Sequence, residues 1–440
     1  MIPVQFPHQK ALPDCAGSFD LCIRNDSHNS NNVVRGLLLF CILAIIVRQT
    51  VLVHGRSLAE FTAVDIYASL DIAIVCLAVF VLVFSGSVGR TWSLLRRTPA
   101  LWLCGYYAFC ATSSLWSALP IYSLYRALEY LVLFFAAFTA IAQYPDFAAA
   151  ERAFLRVGMM TIVLEMCLNL RYLGFSLSLQ AWHTNTYGAS AAMLFCYCLG
   201  EYLAMTKAER SEAQKRSRRL RRFGIFSLCI LALSTSSASN VATTLGCLLI
   251  FLLLRRFWLV LSGLCFGLLL FLSGRGGGIF RVLLFPGKSE QAIEGASGRL
   301  YLWEFCWHKF LQSPAVGYGF GAFRVISKGL ATHAHNAVFS VLIGTGMVGV
   351  ILFALFALRL WWITIVEVWR RGVGTVGFAG ALAAAFVNSL GIPLMADRWI
   401  PTSIVFVWLL GLFLVHVRAP RRLDSVTSIT PGSQSSPINN

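Results

Sequence analysis

Charged residues are scarce in this chain. Only 12% of its 440 positions are Asp, Glu, Lys or Arg, and just 19 carry a carboxylate, where soluble domains average about 25% charged. That shortage excludes an ordinary soluble enzyme, and the apolar content excludes disorder for most of the length. The 13 cysteines form no visible pairing pattern. Most stand singly in apolar stretches, among them Cys41, Cys104, Cys196 and Cys265, where a thiol acts as a small hydrophobe. They offer neither a zinc site nor a disulfide framework. A short apolar leader ending in a small-residue cleavage site is also missing. The N-terminus is polar through Asn32, so the first apolar helix is expected to serve as an uncleaved signal anchor.

What is abundant is hydrocarbon: 58% of the residues are hydrophobic, and mean hydropathy is +0.71. A spanning helix needs about 20 mostly apolar residues. About twelve such segments are found, near 34–53, 62–84, 100–115, 121–142, 153–172, 187–205, 223–236, 240–254, 257–273, 336–358, 373–394 and 400–417. The fold class expected is therefore an all-α polytopic membrane protein.

The 36 basic residues outnumber the acidic ones to give a formal charge of +17. In a soluble protein that excess suggests nucleic acid. Here the runs flank apolar segments: Arg96 and Arg97, 207–222, Arg255 and Arg256, Arg370 and Arg371, and 418–422. Alternating sides from the first helix gathers all of them, with both termini, on one face, as the positive-inside rule requires. Contact with anionic lipid is an added role for the 207–222 run. The expected organisation is a polar cytoplasmic tail (1–33), nine spanning helices (34–273), one long outer loop (274–335), three more spanning helices (336–417) and a disordered cytoplasmic tail (418–440). Within the loop, Leu300, Trp303, Trp307, Phe310 and Leu311 recur at helical spacing between a capping Ser297 and a terminating Pro314. This predicts an amphipathic helix, either on the outer membrane surface or packed on the bundle.

The densest polar cluster beside a spanning segment is Thr332-His333-Ala334-His335-Asn336. A neutral imidazole suits general-base work near neutral pH, and a neighbouring Asn can orient it or a substrate. The alternative is that His333 and Asn336 cap the following helix. Two histidines without a carboxylate or thiolate fall short of a metal site, and the outer face has no Asp-x-Asp pair, so metal-independent chemistry is expected with no cofactor.

His335-Asn336 followed by Gly344-Thr345-Gly346-Met347-Val348-Gly349 resembles the His-Asn motif of the O-antigen ligase and Wzy-type polymerase superfamily, which includes ExoQ-like polymerases. Ser297-Gly298-Arg299 with Trp303, then Pro314, Gly317, Tyr318 and Gly319, is similar to its Arg and Trp before a Pro-x-x-Gly-x-Gly turn. Trp116-Ser117 and Pro120, with Arg126 after them, resemble its Leu-Trp-Ser-x-x-x-Pro turn with one residue fewer. His183-Thr184-Asn185 before Gly188 is similar to its His-x-Asn-x-x-Gly stretch. The resemblance covers roughly 115–362. One departure stands out: many relatives carry an Arg after a Ser where this chain has Ser236-Ser237-Ala238-Ser239-Asn240.

The resemblance implies a GT-C-like architecture in a bacterial inner membrane, with the long periplasmic loop between helices nine and ten. It implies glycan transfer from an oligosaccharide on undecaprenyl diphosphate to an acceptor glycan or lipid A core, and leaves room for a chain-length regulator. Guanidinium groups pair bidentately with phosphate oxygens and stay charged, so they suit the leaving diphosphate. On that reading Arg299 leads, with Arg275, Arg281, Arg324 and Arg171 as further diphosphate contacts. His335 takes the acceptor proton, with His333 as fallback. Asn336, His183 and Asn185 orient the acceptor. A single displacement would invert configuration, and the ExoQ-like look favours a polymerase over a ligase.

Charges at membrane depth are costly and usually face the bundle interior. Asp65, Asp71, Arg156 and Glu165 fall there, and Arg126 can pair with Glu129 three positions on. The rival class is a twelve-helix carrier or lipid-linked glycan flippase. Carriers are built from similar halves, whereas only the second half of this chain contains a long loop.

Overall fold

The computed structural model describes residues 28–50, 65–173, 185–273, 299–328, 333–396 and 399–418, with single positions between them. Everything regular among these is helical. In chain order the helices are α1 (His28–Thr50), α2 (Ile66–Phe84), α3 (Ser87–Leu95), α4 (Ala100–Thr112), α5 (Pro120–Ala142), α6 (Phe147–Leu173), α7 (Asn185–Ala204) and α8 (Lys207–Glu212). Then come α9 (Gln214–Ser234), α10 (Ser237–Leu253), α11 (Phe257–Leu272), α12 (Arg299–Gln312), α13 (Phe323–Ile326), α14 (Ala337–Arg371), α15 (Val376–Ser389) and α16 (Pro401–Arg418).

Each apolar segment read from the sequence contains a helix. Among the described residues, five stretches are long and apolar enough to cross a membrane: Asn31–Thr50, Ile66–Phe84, Pro120–Ala142, Ala337–Arg370 and Pro401–Arg418. Shorter apolar helices fill Ser237–Leu253, Phe257–Leu269 and Val376–Ser389. Three stretches expected to be basic loops are helical instead. The basic run 207–222 forms α8 and the start of α9. Residues 87–95 form α3, and α14 runs on to Arg371 because nothing between Leu358 and Arg371 breaks a helix before Gly372.

The centre of the bundle is α7, packed against α6, α9, α10, α15 and α16. Small residues allow that density: a methyl placed on Gly200 of α7 would lie 2.5 Å from the Gly377 Cα of α15. In a bilayer, where lipid tails are as apolar as leucine, close backbone approach of this kind is what holds helices together.

Two of the charges at membrane depth form ion pairs with basic residues, and two are held by neutral donors. Arg126 meets Glu129 at 2.6 Å, as their spacing predicts, and Arg48 meets Asp71 at 2.8 Å. Asp65 caps α2, accepting from Ala68 N at 2.8 Å. Glu165 faces the interior and accepts from the Ser190 and Thr402 hydroxyls at 3.4 and 3.2 Å.

α12 confirms the predicted loop helix and shows which face is inward. Leu302, Cys306 and Phe310, four apart, are buried against Phe323, Leu342 and Ile343. Trp307 and Leu311 stay exposed. The packed alternative is the one seen, and the sequence stripe is rotated by about one position.

Candidate functional site

The turns 113–120, 234–237, 313–328, 333–337 and 389–396 meet at one end of the bundle, and hydrogen bonds tie the first to the third. Three of the sequence motifs turn out to build a single hub. α14 breaks at Gly346, whose φ of 61° and ψ of −158° are closed to other residues. The break leaves Ile343 O and Gly344 O free to accept from Tyr318 N and Gly319 N at 2.8 and 2.9 Å. In return, Met347 N and Val348 N donate to Pro314 O and Ala315 O at 2.9 and 3.2 Å. The Pro-x-x-Gly-x-Gly turn thus repairs the helix that the Gly-x-Gly run opens.

The Trp116-Ser117 turn closes the other side of that hub. Trp116 Nε1 donates to Val316 O at 3.1 Å, Ala118 N to Tyr318 O at 3.2 Å, and Ser123 Oγ to Phe320 O at 2.6 Å. Gly319, at φ 100°, sits so close to Ser117 that any side chain would overlap it.

The histidines lie on the approach to α14. Asn336 is its N-cap: its Oδ1 accepts from Val338 N at 2.8 Å and Phe339 N at 3.3 Å, so the capping alternative holds for this residue. Immediately before it, His335 stands at φ 52°, a left-handed conformation uncommon for a non-glycine residue. The His333 and His335 rings are 4.0 Å apart between centroids, both half-buried. Trp303 of α12 holds this segment down, donating from Nε1 to Ala334 O at 3.1 Å and stacking on Phe339.

Arg299 is one helical turn before Trp303 and points to a different set of neighbours. A methyl on Gly391 would lie 3.5 Å from its Nη1 and 2.8 Å from the Ala238 side chain. The guanidinium therefore sits between the turn after α15 and the first turn of α10. Burial lowers its pKa from the ordinary arginine value, and among the described residues it makes no ion pair.

A polar net lines that first turn. Ser236 Oγ donates to Asn185 Oδ1 at 2.7 Å, and Ser239 Oγ donates to Asn388 Oδ1 at 3.0 Å. Ser237 is buried, and its hydroxyl has no partner among the described residues.

The structure thus brings Arg299, Trp303, His333, His335 and Asn336 along one end of α12, with Asn185 reached through Ser236. Arg324 is half-buried on α13, which packs on α14. Arg275, Arg281 and His183 lie outside the described residues, as does the Ser297 cap, and for Arg171 on α6 only the backbone is described. Sequence reasoning missed Asn388 and Gly391. The signal available was an amide inside the apolar run Ala384-Ala385-Phe386-Val387-Asn388, followed by Gly391 and Pro393. No group of three or more His, Cys, Asp or Glu placed to hold a metal occurs among the described residues.

By its fold this is an all-α, multi-pass membrane protein. Residues 223–354 match the family model described as O-antigen ligase, which supports the O-antigen ligase and Wzy superfamily that the motifs resemble. The matched stretch runs from α9 into α14 and contains Arg299, His335 and the broken turn, while the Trp116 turn docks on it from outside. No curated protein matches the chain at a significant level.

Proposed function

We propose that this protein is a bacterial inner-membrane glycosyltransferase that extends a polysaccharide at the periplasmic face, using oligosaccharide repeat units carried on undecaprenyl diphosphate. The observation that carries this reading is the Arg299 guanidinium, half-buried and without an ionic partner among the described residues, beside the N-terminus of α10 and one turn from the Trp303 that anchors the His335 segment. A topology of twelve spanning helices with both termini cytoplasmic, and 274–335 outside, puts that end in the periplasm.

The chemistry follows from charge. As the anomeric carbon–oxygen bond breaks, negative charge grows on the diphosphate. Arg299 answers it, and so do the amides of Ser237 and Ala238 at the positive end of a helix, which have no acceptor among the described residues. These groups occupy the turn where relatives place an additional Arg, so the helix end and the Ser237 hydroxyl replace it. Arg275, Arg281, Arg324 and Arg171 supply further positive charge around the lipid diphosphate. In a partly desolvated site such preorganised donors count for far more than in water.

His335 takes the proton from the acceptor hydroxyl as its oxygen attacks the anomeric carbon. One glycosidic bond forms, the bond to phosphate breaks, and undecaprenyl diphosphate leaves with configuration inverted. His333, its ring 4.0 Å away, is the fallback base, and Asn185 and His183 are assigned to orient the acceptor. The reaction needs no metal in this scheme.

A second reading, favoured by the description of the matching family, is a ligase that hands the glycan to lipid A core. The two differ in acceptor alone. A deletion strain that loses long chains while keeping single repeats supports the polymerase. One that accumulates long lipid-linked chains never joined to lipid A supports the ligase. Normal glycans of both kinds would sink both.

A further inference from the structure

At the opposite end of the bundle, α9 carries Lys215, Arg218, Arg219 and Arg222 on one face, spaced i, i+3, i+4 and i+7, and with Phe223 they line a hollow of about 350 Å³. Like charges at these spacings repel one another. Two buried carboxylates nearby are already engaged, Arg216 holding Glu151 at 2.6 Å and Glu201 at 2.7 Å, and a long 3.9 Å contact joins Glu151 to Arg219.

Further cations crowd the same place from α6. Burial lowers the Arg219 pKa from its ordinary value, Glu151 opposes this, and Arg152, Arg216 and Arg156 push it down further. Its Nε is buried without a hydrogen-bond partner among the described residues. Arg218 and Arg222 form no ion pair among the described residues. Lys215, Arg218 and Arg222 are exposed and Arg219 is half-buried, so the face stands open to a ligand, with little negative charge against it among the described residues.

The same face of α9 then turns apolar. Ile225, three beyond Arg222, is 58% exposed, and Cys229, seven beyond it, is exposed as well. Cations that enclose a hollow beside an outward-facing hydrocarbon strip match a phosphate head group with its acyl chains attached.

We propose that this hollow is a binding site for an anionic phospholipid of the leaflet at the basic end of the bundle, the cytoplasmic one on the topology given above. Arg218, Arg219 and Arg222 hold the head-group phosphate, and Phe223 and Ile225 receive the acyl chains. The site is independent of the glycan chemistry, because binding is read directly and not through transfer.

The test uses the purified full-length protein in detergent, with bound lipid counted by native mass spectrometry against added phosphatidylglycerol, phosphatidylcholine or inorganic phosphate. Phosphatidylglycerol is expected to bind and to raise the unfolding midpoint, and phosphatidylcholine to do neither. Each cation near an anionic surface contributes roughly fivefold. The double variant Arg218→Gln/Arg222→Gln should therefore bind about thirtyfold more weakly, while Arg218→Lys/Arg222→Lys retains binding. Should the double variant fold poorly in lipid-free detergent, the single exposed change Lys215→Gln, expected to cost about fivefold, serves in its place. Undiminished phosphatidylglycerol binding by the glutamine variants would overturn the proposal. So would equal stabilisation by inorganic phosphate, which would mean a small-anion site and no lipid.

Discussion

Two polar regions share one end of the bundle, both built from residues the sequence motifs single out, and they are satisfied to very different degrees. In the hub around Gly319 and Gly346, the donors freed by the helix break find partners: Met347 and Val348 bond to the Pro314 turn, and the Pro314 turn bonds back. Around Arg299 the opposite holds, with a half-buried guanidinium lacking an ion pair and a buried Ser237 hydroxyl lacking a partner among the described residues. A completed hydrogen-bond network specifies a shape. Donors left over beside it are free to bind, which is why chemistry is assigned to the second region and architecture to the first.

That division is open to direct attack, most forcefully at His335. Asparagine tolerates the left-handed conformation His335 adopts, so His335→Asn should keep the backbone while removing the base. Glycan transfer in membranes should fall about 10²- to 10⁴-fold with the unfolding midpoint unchanged. A variant that transfers normally would move the proton chemistry elsewhere, with His333→Asn as the next one to measure. Arg299→Gln should cost about 10²- to 10³-fold in kcat, the loss expected when one preorganised donor to a developing charge is removed. Arg299→Lys should recover only part of it, since a point charge replaces a bidentate fork.

The hub should respond in the other currency. Gly319→Ala forces a side chain into Ser117 at φ 100° and should lower stability by at least about 2 kcal/mol, seen as a lower unfolding midpoint in detergent. Protein that survives in the membrane should still transfer glycan at a measurable rate. Full stability combined with lost transfer would erase the distinction between the two regions.

How far the sequence reveals this depends on the range of the interaction. Helix positions are legible because lipid demands about 20 apolar residues per crossing, a local and repetitive constraint, and the Arg126 and Glu129 pair is legible because three residues on a helix is a fixed distance. The motifs are legible as strings but not as partners. Nothing local in Pro314–Gly319 says that it mends a break at Gly346, or that Trp116, 200 positions from Val316, bonds to it. Asn388 and Gly391 were missed for the same reason, since their importance comes from Ser239 and Arg299, which other helices deliver.

The finest distinction falls on one hydroxyl. Ser237 is buried with its Oγ unpartnered among the described residues, so if it belonged to the architecture, replacing it by alanine would be neutral or slightly stabilising. Placed instead beside a donor diphosphate, it contributes a hydrogen bond of about 1 kcal/mol when substrate is bound. Ser237→Ala is therefore expected to leave the unfolding midpoint level or a little higher while raising KM for the lipid-linked donor about fivefold and sparing kcat. Its neighbour supplies the contrast: Ser236→Ala removes a helix cap and the bond to Asn185, so it should lower stability by about 1 kcal/mol. If the two variants behaved alike, the first turn of α10 would be packing only, and the diphosphate would have to be held by Arg299 without it.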